Sequence, residues 1–90
     1  MRTTLITVTG EDILLGRPGH EFSSPLQYAI RRAFPHLVSI RIQSQIVECY
    51  GALSDEVLLS SLPALAVDFE KKFQIGLHMH PITFSMKEPE

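Results

Sequence analysis

Four histidines and one cysteine are the residues best suited to chemistry in this 90-residue chain. His78 and His80 are two apart, so on an extended segment both rings point to the same side and could share a metal ion. A stable site needs further ligands, and the sequence fixes none beside them. His20 and His36 lie far away in the chain. The sequence therefore assigns no metal and no cofactor, and His78 and His80 stand as its nearest approach to a metal site. Cys49 sits in an apolar run, where a thiol stays protonated and inert rather than nucleophilic. Gly16-Arg17-Pro18-Gly19 is glycine-rich but lacks the lysine and the spacing of a phosphate-binding loop. It reads as a plain loop over Arg17 to Ser23. The acidic pairs Glu11-Asp12 and Asp55-Glu56 fall near helix starts, where negative charge is favourable without any catalytic role. No nucleophile–base or paired-carboxylate arrangement emerges, so the reading is of a non-enzymatic protein.

The positive residues make the more useful constellation. Arg17, Arg31, Arg32 and Arg41 could form a basic patch, with Tyr28 four residues before Arg32 to stack against it. These five residues are the expected partner-binding set. The net charge of −2, from eight basic and ten acidic residues, argues against a nucleic-acid module, since phosphate neutralisation usually demands a basic excess. A small nucleic-acid-binding domain is kept as the alternative. One cysteine forms no internal disulfide, which suits a reducing cytosol. The first ten residues lack a signal-peptide core, and no apolar run reaches the roughly 18–20 residues of a membrane-spanning helix.

The elements that must carry these residues follow from local patterns. The length and a hydrophobic share of 44% suit a single domain over 1–90, with residues 87–90 as a frayed tail. Leu5 to Val8 is a β-branched strand. Thr9, Asp12 and Gly16 frame one short helical turn. Ser24, Pro25 and Gln27 start a helix with a capping box, and its stripe is Leu26, Ala29, Ile30, Ala33 and Phe34. Leu37 to Tyr50 alternates in part, with Gln43-Ser44-Gln45 polar enough for a turn, and reads as a hairpin; without an Asn-Gly turn, one long bent strand is the alternative. Pro63 forbids one long helix from Ser54 to Phe73, so the next helix starts near Ser61, with Leu62, Leu65, Ala66, Phe69 and Phe73 as its stripe. Gly76 closes it. The closing strand runs through Leu77 to Met86 with a break at Pro81, so it either begins at that proline or lies at a sheet edge. The order βαββαβ predicts an α+β fold: a small antiparallel sheet with two helices on one face, in a ferredoxin-like arrangement. An alternative places an extra short strand at 56–60.

The sequence also resembles a family of small accessory proteins of tailed phages and prophages. The matching stretches are Ile6-Thr7-Val8-Thr9-Gly10-Glu11-Asp12-Ile13-Leu14-Leu15-Gly16 and Pro25-Leu26-Gln27-Tyr28-Ala29-Ile30-Arg31-Arg32-Ala33. Leu62-Pro63, Phe69, Phe73, Gly76 and Pro81-Ile82-Thr83-Phe84 complete the pattern across nearly the whole chain. Two positions depart from it. Ser24 stands where family members often have cysteine, and Ile75-Gly76 where they often have Asp-Gly. The resemblance implies no catalytic residues. It implies the setting of a phage or prophage accessory protein in the bacterial host cytoplasm. Together with the small size and the lack of a catalytic constellation, the expected function is to bind and modulate a host protein, such as a defence, nuclease or transcription component. A homodimer is a natural sub-case, because a small sheet leaves edges open.

Overall fold

The computed structural model describes residues 3–19, 23–43, 45–51 and 57–89. The fold is α+β. Strand β1 spans Thr3–Val8 and is followed by a short helix, α1, over Gly10–Leu15. Helix α2 covers Pro25–Ala33. Strands β2 (Leu37–Gln43), β3 (Ile46–Gly51) and β4 (Val57–Ser61) come next, then helix α3 (Ala64–Gln74) and strand β5 (Ile82–Lys87).

The helices begin and end where local chemistry directs. Thr9 and Asp12 form a reciprocal capping box on α1, and Ser24 and Gln27 form another on α2. Helix α3 ends in a Schellman motif. Gly76 takes φ +86°, its N–H donates to the Phe73 carbonyl at 3.0 Å, and the Leu77 N–H donates to the Lys72 carbonyl at 3.1 Å. Pro63 is the N-cap of α3, so the helix starts one residue after it.

The extra strand, β4, decides the sheet topology. β3 pairs antiparallel with β2 on one side and with β4 on the other. Both edges of β3 are therefore filled. In a ferredoxin-like sheet the first strand lies beside this one, and here no edge remains for it. β1 pairs with β5 instead, antiparallel, from Thr3 opposite Lys87 to Val8 opposite Ile82. Two small sheets, β1–β5 and β2–β3–β4, replace the single sheet expected.

Helix α2 bridges the strands that have only one sheet partner each. Its Arg32 Nη2 donates to the Thr7 carbonyl on β1 at 2.8 Å, and its Gln27 Nε2 donates to the Ile40 carbonyl on β2 at 2.9 Å. A buried carbonyl left without a donor costs about 1–3 kcal/mol, so Gln27 supports β2 at the buried Ile40 carbonyl, while the Arg32 bond to Thr7 is exposed. On the other side of the molecule, Ser60 Oγ on β4 donates to the Lys87 carbonyl on β5 at 2.8 Å.

The core lies between these layers. Ile6 and Val8 (β1), Leu26, Ala29 and Ile30 (α2), Ile40 (β2), Val47 and Cys49 (β3), and Phe84 and Met86 (β5) are all buried. From α3 come Ala66, Phe69 and Phe73, with Leu62 reaching in from the preceding loop. Leu65, expected on this stripe, is 53% exposed. At ~100° per residue it sits about a quarter-turn from the face centred on Ala66 and Phe73. Two further expectations are revised. The closing strand starts at Ile82, so residues 77–80 are not strand. Lys87 belongs to β5 and Pro89 is buried, so the chain stays packed beyond the point where fraying was expected.

Candidate functional site

The arginines separate into different roles. Arg32 turns to the protein itself. Its Nη1 and Nη2 donate to the two Asp12 carboxylate oxygens at 2.9 and 2.8 Å, in addition to the bond with Thr7. Asp12 is 3% exposed, and its Oδ2 also accepts the Thr9 N–H at 2.9 Å. This fork-to-fork geometry is the strongest a surface-reaching arginine can make. The Arg32 guanidinium and the Thr9 bond hold the Asp12 carboxyl below the usual carboxylate range, against the opposing effect of burial. The same contact raises the affinity of Arg32 for its proton. The pair locks α1, α2 and β1 together.

The remaining members of the expected set fall on three different elements. Arg31 is exposed on the last turn of α2, and Tyr28 is half-buried on the same helix. Arg41 lies on β2 opposite Glu48 of β3. Arg17 is exposed at the start of the loop after α1. Of the sequence-derived set, Arg32 is committed to Asp12, while Arg17, Arg31, Tyr28 and Arg41 sit on the loop after α1, on α2 and on β2.

Cys49 is fully buried, and burial pushes its thiol up to about 11. It packs as an apolar residue and holds no reactive thiolate at neutral pH. Of the acidic pairs, Glu11 and Asp12 fall in the first turn of α1 as expected, while Asp55 and Glu56 lie outside the described residues. His20 lies outside them too, and His36 is exposed in the turn between α2 and β2. No group of three or more His, Cys, Asp or Glu is placed to hold a metal among the described residues. His78 and His80 do come together, with ring centroids 5.2 Å apart.

The motif residues that looked most distinctive serve the architecture. Thr9 and Asp12 cap α1, and Asp12 holds Arg32. Gly16 is needed for a close approach rather than for its φ of −68°. A Cβ there would fall 2.7 Å from Pro25 Cδ and 2.9 Å from Phe73 Cζ. Ser24 caps α2: its Oγ accepts the Gln27 N–H at 3.3 Å.

What stays at the surface is a set of large apolar side chains at the ends of α1 and α3. Gly16 packs at Phe73, and the Gly19 N–H donates to Gln74 Oε1 at 2.6 Å across 55 residues of sequence. These contacts bring the end of α1 to the end of α3. The loop between is closed by the Arg17 N–H donating to the Ser23 carbonyl at 2.8 Å. Leu14 and Leu15 lie within two residues of Gly16, and Ile75 and Leu77 within three of Gln74. Leu14 is 85% and Ile75 75% exposed, the two highest values among the large apolar residues described, and Leu15 and Leu77 are also exposed. Sequence reasoning passed over all four. A signal was present: Ile13-Leu14-Leu15 spans about 200° of helix, more than one buried face can cover.

A second surface feature is a cleft of about 440 Å³ where the ends of β4 and β5 meet, lined by Leu59 to Pro63 and Ser85 to Glu88. On the outer face of β2–β3–β4, Tyr50 lies opposite Val57, and Leu59 opposite Glu48. No helix among the described residues is long and apolar enough to cross a membrane. Compared with known protein families, curated proteins and solved structures, the chain finds no match.

Proposed function

We propose that the chain is a non-enzymatic binding protein that recognises another protein through the end of the molecule formed by α1, the loop from Arg17 and the end of α3. The observation that carries this reading is the exposure of Leu14 and Ile75, drawn to one end by the Gly16–Phe73 and Gly19–Gln74 contacts. Exposed apolar groups beside a charged residue such as Arg17 are what a protein interface uses for its centre and rim. The groups with chemical potential support the same reading, because Asp12 and Arg32 engage each other and Cys49 is buried. The resemblance to phage accessory proteins supplies the setting: a host protein in the bacterial cytoplasm whose activity is modulated, be it a defence, nuclease or transcription component.

The test is an affinity pull-down of the tagged chain from nuclease-treated bacterial lysate, read by mass spectrometry. The expected result is one protein enriched in near-stoichiometric amount. Recovery of nucleic acid alone, and only when nuclease is omitted, would replace this reading with the nucleic-acid module.

A further inference from the structure

We infer that His78 and His80 form a two-imidazole site for a borderline divalent metal ion such as zinc. The two rings stand 5.2 Å apart, centroid to centroid, with their planes at 90°. With metal–nitrogen bonds of about 2.0–2.1 Å at a tetrahedral angle, two imidazoles on one zinc ion place their centroids about 5 Å apart. The free chain therefore already holds the two rings, edge to face, at about the centroid spacing that shared coordination gives.

The segment is also anchored for this purpose. His78 and His80 are exposed, while Met79 between them is half-buried and packs against the core. Pro81 then fixes the backbone at the start of the approach to β5. The chain alternates outward, inward, outward, as an extended segment does, even though it pairs with no strand. Pinning the middle residue reduces the freedom that binding must remove. Imidazole nitrogen is a preferred donor for zinc, copper and nickel ions, and hard ions such as magnesium favour oxygen. Two protein ligands leave the other positions to water, so the site is an open one. Protonated imidazole has no lone pair to give, so affinity falls as the solution is acidified.

The experiment is calorimetric titration of zinc into the untagged full chain, repeated on His78→Ala, His80→Ala, the double variant and His36→Ala. The expected result is a saturable event that the His36→Ala chain keeps, each single variant weakens and the double variant loses. Absence of saturable binding, or undiminished binding by the double variant, would overturn the assignment. Should the double variant lose its far-ultraviolet dichroism, histidine NMR of the parent chain decides. Zinc-induced shifts confined to the His78 and His80 rings support the site, and shifts at other histidines instead overturn it.

Discussion

Replacing Arg32 with alanine removes three hydrogen bonds at once: two to Asp12 and one to the Thr7 carbonyl. It leaves the Asp12 carboxylate buried, with the Thr9 N–H still bound. A hydrogen bond to a charged group contributes about 1.5–3 kcal/mol, but the Arg32 side chain is 53% exposed and water screens part of that. Taken together, and with the packing of the arginine stem, the loss should be about 2–4 kcal/mol. A chain of this length has a total of about 5–13 kcal/mol, so the variant should melt roughly 10–25 °C lower. The assay is thermal and urea unfolding followed by circular dichroism. Arg32→Lys should recover less than half of the loss, because an ammonium cannot reproduce the planar fork. Asp12→Asn should cost less than Arg32→Ala, since it strands no buried charge and can still accept from Thr9. Arg32→Ala melting within about 3 °C of the parent, or Asp12→Asn costing more than Arg32→Ala, would refute the clamp.

Other perturbations probe separate parts of the structure. Gly16→Ala should destabilise by about 1–3 kcal/mol, because its Cβ meets Pro25 and Phe73. Gly10→Ala, with nothing within 4 Å of its Cβ, should be neutral or slightly stabilising in the same melts. Glu70 on α3 has a buried Oε1 without a hydrogen-bond partner among the described residues, and desolvation raises its pKa despite bonds from Ser24 and Gln74. Its ionisation therefore costs stability as pH rises from the unfolded value of about 4.3 through the higher folded value. Glu70→Gln should gain about 1 kcal/mol at neutral pH, with the gain vanishing below about pH 4 in urea unfolding. Asp12 has the opposite sign: its contribution is present above about pH 3.9 and is lost as pH falls through its depressed folded value, so Asp12→Asn should flatten the acid limb. Cys49 should react slowly with a thiol reagent at pH 8 in the folded chain and rapidly in urea; equal rates would contradict its burial.

Features set by a few neighbouring residues were legible in the sequence. The two capping boxes, the Gly76 stop and the hairpin each depend on residues within one or two turns. Features set by distant parts of the chain were not. Asp12 and Arg32 are twenty residues apart, and each had a local reading, one beside a helix start and the other in a surface basic patch. Val57 to Ser61 was readable as strand or helix start, yet its pairing with β3 alone determines that β1 must find β5. Arg17, Arg31 and Arg41 were recognisable as surface residues from their type. The exposure of Leu14 and Ile75 depended on how distant elements pack. Hydrophobic side chains in short elements carry no local mark of which way they will face.

The most direct test of the account is partner retention by a Leu14→Glu, Ile75→Glu double variant, with Leu59→Glu on the outer face of β4 as the comparison. All three side chains are at least half exposed, so folding should be unaffected and circular dichroism confirms it. The account predicts that the double variant loses the captured protein while Leu59→Glu keeps it. Capture retained by the double variant, or lost only with Leu59→Glu, would place recognition elsewhere and contradict the claim.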